Sequence, residues 1–383
     1  MTMIRTTSAL ADFCDRARKH PFVTVDTEFH RETTYWPKLC LVQIAISAED
    51  AVTVDPLAEG IDLAPLYALL ADETVLKVFH AARQDIEIFH VFGKVIPTPL
   101  FDTQIAGMVC GYGDQVAYDT LVRRICGVQI DKSSRFTDWA RRPLNDKQVD
   151  YALADVTHLV TVYEAIRAEL DRTGRADWVA EEMAVLASPA TYETQPEDAW
   201  ERIKGRVSNR RALLLLQRLA AWREETAQAQ NVPRNRILKD DGLLELAHQK
   251  PVSADEMDRL RAVSRGFGRS ANGRAVLKVI EDALEVPDNA LPRLPSRGDR
   301  PQVPAAVLDL LKVLLKACAD DMGVAGRLVA SAADLERLAA DPEGDHAVMH
   351  GWRREVFGNA ALDLMAGRIG LRLKDGAVVL ERD

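Results

Sequence analysis

The spacing of apolar residues changes from strand-like to helix-like along the first half of the chain. Three short runs near the beginning are rich in β-branched and aromatic residues: FVTVDTEF at 22–29, KLCLVQIAI at 38–46 and AVTVDP at 51–56. They lie close enough in sequence to form an antiparallel meander. Beyond them the spacing is mostly helical, apart from the strand-like VLKVFH at 75–80. The pattern predicts an α/β domain over residues 1–180, in which helices pack on a mixed sheet.

The rest of the chain has helical patterns and is divided by two polar segments. SPATYETQPEDA at 188–199 predicts a linker, and a second linker at 287–304 contains five prolines. Between them, amphipathic segments that end at turn residues predict a helical bundle over residues 200–286, which is large enough for a single core. A third, helical domain is predicted over residues 303–383.

The two helical units share a short pattern. NVPRNRILKDDGLLELA and GVAGRLVASAADLERLA place turn and helix positions at the same spacing, with Val232 to Leu246 matching Val324 to Leu338. We interpret this as a weak internal repeat, with chance similarity between two amphipathic segments as the alternative. The second copy is less basic than the first, so its role in binding stays open.

Composition narrows the class of protein. Hydrophobic residues make up 47% of the chain, as in globular proteins, and no apolar run reaches the roughly 18 residues that span a bilayer. The start of the chain lacks the continuous apolar segment of a secretory signal, so we expect a cytoplasmic protein without a membrane partner. The five cysteines include no Cys-x-x-Cys pair, which argues against a disulfide framework and a cysteine zinc site.

The distribution of charge is more informative than its sum. A net charge of −9 would by itself disfavour nucleic acid as a partner, because phosphate binding depends on Lys and Arg. RIKGRVSNRR at 202–211, however, contains five basic residues and no acid. This run could contact phosphates, or it could be the solvated start of a helix.

Acidic residues occur at places where an α/β domain collects ligands. Asp26 and Glu28 are two apart on a strand and therefore share a face, where they repel each other unless a cation lies between them. Asp85 stands in the first turns of a helix that follows a strand, and Tyr151 and Asp155 are four apart on one helix face. Taken singly, each has an ordinary alternative: a solvated strand end, a surface or helix-dipole acid, or a core tyrosine.

Three segments that carry these residues resemble a known set of motifs. DTEFHRE, FHAARQDIEIF and YALADVTHL, with DKSSRFTDWARRPL between the last two, are similar to the exonuclease motifs of the DEDD superfamily in its tyrosine subclass, and in particular to the ribonuclease D family. The resemblance covers about residues 5 to 175. The bundle over 200–286 resembles an HRDC domain, and the last unit resembles a second, divergent HRDC-like repeat. The resemblance therefore implies an RNase H-like exonuclease domain followed by two all-α HRDC-like bundles.

The motifs also imply roles for individual residues. The resemblance assigns Asp26, Glu28, Asp85 and Asp155 as catalytic metal ligands and Tyr151 as the residue that orients the nucleophilic water. Four carboxylates offer hard oxygen ligands to two divalent ions, Mg²⁺ or Mn²⁺. Two such ions suit in-line displacement at phosphorus, which here would release nucleoside 5′-monophosphates. His30, His80 and His158 match none of the catalytic positions.

The implied substrate is RNA, trimmed from its 3′ end and including tRNA precursors. Phe29 and His30 follow the first acids and could contact the terminal nucleotide, although a core role is the simpler interpretation of Phe29. The basic run would bind the RNA backbone through Arg206, Arg210 and Arg211. We expect a monomer.

Two other functions remain as alternatives. One is a 3′–5′ DNA exonuclease related to proofreading domains. The other is a non-catalytic RNA-binding scaffold, although the presence of all four acids and the tyrosine counts against it.

Overall fold

The computed structural model describes residues 2–135, 137–205, 207–294 and 303–382. Two compact units are formed. The first comprises Met1–Glu28, Leu41–Ser188 and Gly298–Asp383, and we call it the catalytic unit because it contains the residues that the resemblance predicts to be catalytic. The second, the bundle unit, comprises Phe29–Cys40 and Pro189–Arg297. Arg206, one of the predicted RNA contacts, lies outside the described residues, as does part of the second predicted linker.

A six-stranded sheet forms the centre of the catalytic unit. Its strands are β1 Thr2–Ile4, β2 Phe22–His30, β3 Lys38–Ala45, β4 Ala51–Val54, β5 Leu76–Phe79 and β6 Leu100–Asp102, in the spatial order β1-β4-β3-β2-β5-β6. β3 is antiparallel to β4, whereas β1 is parallel to β4, β2 to β5, and β5 to β6. The predicted mixed sheet is confirmed. The three runs that predicted a meander are neighbours in it, and β1 was too short to be recognised by its pattern.

Seven helices accompany this sheet. They are α1 Thr7–Ala17, α2 Ala64–Leu70, α3 Arg83–Gly93, α4 Thr103–Val109, α5 Tyr118–Cys126, α6 Asp146–Thr173 and α7 Ala176–Leu186. All of β3 after its first residue is buried, as expected for a central strand that is covered on both faces. The long helix α6 begins at a capping box on Asn145 and is tied to β2 by a hydrogen bond of 2.8 Å, which Thr24 Oγ1 donates to the Val156 carbonyl.

The bundle unit is helical after its N-terminal segment Phe29–Cys40. Its helices are α8 Arg210–Gln230, α9 Arg234–Ile237, α10 Asp240–Gln249, α11 Ala254–Met257 and α12 Ala271–Leu284. Leucines on one face of α8 form a core with apolar residues of α10 and α12. This matches the helical bundle that the sequence predicts.

The C-terminal segment is not all-α, which corrects the prediction. It contains α13 Ala305–Met322, α14 Gly326–Val329, α15 Ala332–Ala340, α16 Gly351–Arg353, a π-helical turn Arg354–Gly358 and α17 Asn359–Met365. The chain then forms an antiparallel hairpin of β7 Ile369–Lys374 and β8 Ala377–Arg382. The turn of the hairpin contains Asp375 and Gly376, both at positive φ, a pairing typical of tight hairpin turns.

The internal repeat has a structural counterpart. α8 and α13 both end at a residue in the left-handed conformation, Asn231 or Gly323, and each is followed by a four-residue helix. One extended residue, Leu238 or Ala330, ends that short helix, and a longer helix begins within two residues. The two segments therefore share a local backbone path, as the spacing of their valines and leucines suggested.

Candidate active site

Strand β2 and helix α6 bring three carboxylates together. Asp26 and Glu28 lie two residues apart on β2, and Asp155 lies on α6. One carboxylate oxygen from each residue lies within 4.8 Å of the others. The alternation of side chains along a strand explains why the two β2 acids face the same way, and the bond between Thr24 and α6 fixes the helix beside them.

The fourth predicted acid, Asp85, is near this group but bonded elsewhere. It is buried in the first turn of α3, where its carboxylate accepts a hydrogen bond from the hydroxyl of Thr27. Thr27 lies between Asp26 and Glu28 in the sequence and supplies this tether from the same strand. The structure thus groups three of the four acids, and Asp85 lies near enough for its charge to interact with those of Asp26 and Glu28.

Tyr151 is placed as its spacing predicts. It lies one helical turn before Asp155, and its hydroxyl donates a hydrogen bond to the Asp155 carboxylate. Its ring stacks on that of Trp139 with a centroid separation of 6.2 Å, which restricts the orientation of the phenol.

Burial and mutual repulsion dominate the electrostatics of the site. Burial raises the pKa of Asp26 to about 7. Burial, followed by the neighbouring charges of Asp26 and Asp155, raises the pKa of Glu28 to about 10. Burial and the charge of Asp26 raise the pKa values of Asp85 and Asp155 as well. These directions mean that the ionised cluster is unfavourable without a positive charge among its members.

A divalent cation fits this donor set. Carboxylate oxygens are the hard ligands that Mg²⁺ and Mn²⁺ prefer, and a cation between them would remove the repulsion that raises these pKa values. No Lys or Arg is ion-paired with Asp26, Glu28 or Asp155 among the described residues, which leaves the neutralising role to a metal.

A cavity of about 380 Å³ opens beside the acids. Asp26, Tyr151 and Asp155 line one part of it, and Lys132 and Arg135 contribute positive charge to another. The sequence motifs do not indicate Lys132 as part of the site. Lys132 is paired at 2.8 Å with Asp119, which also lines the cavity, so Arg135 is the part of the lining best suited to a substrate that carries phosphates.

The turn that precedes α3 is a further feature that the sequence analysis missed. Ala81 has a φ of 59°, which is strained for a residue with a side chain. The Asp102 carboxylate accepts hydrogen bonds from the backbone N–H groups of Ala81, Ala82 and Gln104. Asp102 thereby both holds this turn and caps α4. The position of an Asp directly before the helical segment TQIA is the sequence signal that could have indicated the cap.

The predicted phosphate contacts in the basic run are engaged within the bundle. Arg210 donates to the carbonyls of Leu291 and Pro292, and Arg211 donates to carbonyls at the end of α12 and to Asp288. Both side chains therefore also have contacts within the bundle unit, and their role as phosphate contacts stays a prediction. Phe29 and His30 end β2 and are both partly buried, and their role as substrate contacts stays a prediction.

Comparison with known families defines the class to which the fold and site belong. A model described as 3′–5′ exonuclease matches residues 1–171, which include all the predicted catalytic residues, and a model of the HRDC domain matches residues 212–280. No second HRDC match accompanies it, so the HRDC-like character of the C-terminal segment is not confirmed. The catalytic unit is thus that of a 3′–5′ exonuclease.

Relatives narrow the class further. The chain is 53% identical to ribonuclease D of Gluconacetobacter diazotrophicus over 96% of this chain and 93% of the relative. It is 54% identical to ribonuclease D of Acidiphilium cryptum, over 96% and 94%. The crystal structure of Escherichia coli RNase D, described as an exoribonuclease involved in structured RNA processing, matches with a TM-score of 0.83 at 31% identity, over 96% of this chain and 98% of that one. The chain belongs to the ribonuclease D family.

Proposed function

We propose that the protein is a metal-dependent 3′–5′ exoribonuclease that uses two divalent ions, Mg²⁺ or Mn²⁺, to remove nucleoside 5′-monophosphates from the 3′ end of RNA. The observation that carries the proposal is the convergence of Asp26, Glu28 and Asp155 within 4.8 Å, in a chain of the ribonuclease D family. By the same family relationship we propose tRNA precursors as substrates.

Four carboxylates would hold the ions: Asp26, Glu28 and Asp155, with Asp85 as the fourth. When bound, two such ions activate a water for attack at phosphorus and stabilise the leaving 3′ oxygen. The charge interactions of Asp85 with Asp26 and Glu28 support a ligand role for Asp85 as well, because they indicate that its carboxylate lies near theirs.

Tyr151 would orient the attacking water through its hydroxyl. Burial and the charge of Asp155 raise the pKa of Tyr151, so the phenol stays protonated at neutral pH. Its one O–H donates to Asp155, and its oxygen can accept a hydrogen bond from the water. The cavity beside it would take the 3′-terminal nucleotide, with Lys132 and Arg135 facing the phosphates. Phe29 and His30 remain candidates for contact with that nucleotide.

The rest of the chain would bind or present the RNA. We propose domain boundaries of 1–180 for the exonuclease domain, 200–286 for the HRDC domain and 303–383 for a second, divergent HRDC-like domain. The shared path of α8–α10 and α13–α15 supports the last of these. No helix among the described residues is long and apolar enough to cross a membrane. We propose a monomer that acts in the cytoplasm.

One assay tests the function. A labelled tRNA with a 3′ extension and a single-stranded DNA of matched sequence are incubated with the protein in Mg²⁺ or in EDTA. We expect stepwise shortening of the RNA from its 3′ end in Mg²⁺ and none in EDTA. Endonucleolytic fragments, undiminished activity in EDTA, or a preference for the DNA would contradict the proposal.

A further inference from the structure

The bundle unit contains a second cavity, with a volume of about 460 Å³, that is lined by four arginines. We call it the arginine cavity. Arg31 comes from the segment that follows β2, Arg202 precedes α8, and Arg223 and Arg234 lie on α8 and α9. Two acids, Glu224 and Asp240, also line the cavity. The cavity lining therefore has more basic than acidic side chains, although the net charge of the chain is −9.

The two acids are already used by two of the arginines. Glu224 is buried and paired with Arg234, which also lies over the Tyr35 ring at 5.0 Å. Asp240 is paired with Arg223 at 2.7 Å. Arg202 is exposed and has no carboxylate partner among the described residues, and its one side-chain hydrogen bond is a long one of 3.5 Å to Thr194. The internal ion pairs therefore do not neutralise the cavity.

A buried hydrogen-bond donor of Arg223 is the second observation that points to an anionic ligand. Its side chain is only 4% exposed, and its Nε–H is buried without an acceptor in the part of the chain that the structure describes. A buried donor without an acceptor is unfavourable, so its presence in a folded protein requires an explanation. An anion in the cavity would supply both an acceptor and negative charge.

The C-terminal repeat shows that the fold does not require these charges. A shift of 92 residues superimposes the matching valines, Val232 on Val324. The same shift places Leu315 at the position of Arg223, Gly326 at that of Arg234 and Ala332 at that of Asp240. The second copy keeps the short helix and the extended residue that follows it without any of the three. The arginine cavity is therefore specific to the bundle unit and is not a requirement of the helix–turn–helix path.

We propose that the arginine cavity binds a backbone phosphate of the RNA strand. The inference rests on the proposed function, because it takes RNA to be the substrate. Guanidinium groups match the geometry of phosphate oxygens and can bind them with two parallel hydrogen bonds. Such contacts would hold the strand without reading its sequence.

The test is the salt dependence of RNA binding. A labelled single-stranded RNA is titrated with the protein in EDTA, so that it binds without being degraded, over a series of salt concentrations. Each phosphate contact on a single strand contributes about 0.7 to the slope of log K against log salt. We expect Arg31→Gln combined with Arg202→Gln to lower that slope by about 1.4 and to weaken binding about tenfold at low salt. Arg202→Lys should keep most of the slope, because it keeps the charge.

Arg259→Gln is the matched control, since Arg259 is an exposed arginine of the same unit that does not line the cavity. It should leave both the slope and the affinity unchanged. An unchanged slope in the folded double variant, verified by its thermal midpoint, would overturn the proposal. Inorganic phosphate or a nucleoside monophosphate that displaced the RNA at equal concentration would overturn the assignment to a strand phosphate.

The same preparations separate this inference from the proposed function. If the unchanged protein fails to shorten RNA in Mg²⁺, the exonuclease proposal fails whatever the binding data show. If it shortens RNA and the double variant binds with an unchanged salt slope, only the arginine cavity is excluded.

Discussion

At the scale of single residues, the catalytic acids stabilise a bound cation, but without one they lower the stability of the folded protein. Asp26, Glu28 and Asp155 are partly buried and close together, and burial raises the pKa of each. A cluster of acids in this position is unfavourable unless a bound cation compensates for their repulsion, and unfavourable arrangements of this kind are common at functional sites. Substitution of one acid should therefore reduce activity and change the response of stability to metal.

Asp155→Asn should abolish turnover while leaving RNA binding largely intact. The substitution keeps the size of the side chain and removes one charge from the ligand set, so the rate should fall by more than the roughly 10²–10³-fold that loss of one oriented hydrogen bond costs. Asp26→Asn should behave in the same way. Single-turnover rates and RNA binding are measured on the same preparations, and an equal loss of both would show that the acids have another role.

Metal should also raise the unfolding temperature of the unchanged protein. A ligand that binds only the folded state stabilises it by about 2.7 kcal/mol at a hundred times its dissociation constant. Mn²⁺ should therefore increase the thermal midpoint relative to EDTA, and the increase should be much smaller in Asp26→Asn. The same shift in both proteins would place the metal away from these acids.

Tyr151→Phe should be slow but measurable. The hydroxyl positions a water and does not hold a metal in our proposal, so its removal should cost about 10²–10³ in rate. Mn²⁺ affinity should barely change in this variant. A large change in affinity would show that Tyr151 supports Asp155 as a ligand, through the hydrogen bond between them.

At the scale of elements, the site depends on how α3 begins. The turn at Ala81 is strained, and the Asp102 carboxylate holds it by accepting hydrogen bonds from two of its backbone N–H groups, those of Ala81 and Ala82. The motifs predicted the residue types on α3 but not this support, because Asp102 lies outside them and bonds to residues about 20 positions earlier. For the same reason the bond between Thr27 and Asp85 could not be read from either segment alone.

Asp102→Ala should destabilise the protein and reduce activity together. It leaves buried N–H groups without an acceptor and removes the cap of α4, at a cost of about 2 kcal/mol or more in the free energy of unfolding. Activity should fall because Asp85 lies in the first turn of α3. Thr6→Ala, which removes the cap of α1, is the control: it should cost about 1 kcal/mol and leave kcat unchanged. Full activity in Asp102→Ala would show that Asp85 is positioned without this turn.

At the scale of the whole molecule, the C-terminal segment is part of the catalytic unit. The N–H of Ala325 donates to the Met108 carbonyl at 2.9 Å, and Arg175 donates to the carbonyls of Val109 and Met322. The Trp178 and Trp352 rings stack with centroids 4.6 Å apart. The sequence patterns predicted a separate helical domain here. Local periodicity indicates where helices form, but it contains no information on contacts between residues that are so distant in the chain. The segment thus has a structural role in the catalytic unit, whether or not it also contacts RNA.

Gly111→Ala tests this packing. Gly111 has a φ of +78°, and a Cβ added to it would lie 2.7 Å from the Gly323 carbonyl oxygen, a backbone atom that cannot turn aside. Gly127→Ala is the matched control, because Gly127 has a φ of +68° and open space where its Cβ would lie. Both variants should pay the cost of a left-handed conformation, about 1–2 kcal/mol. Gly111→Ala should lose at least about 1 kcal/mol more in urea denaturation, because the contact must open. Gly111→Ala should also become more sensitive to proteolysis between residues 298 and 383. Equal stability of the two variants would contradict the close packing of the C-terminal segment.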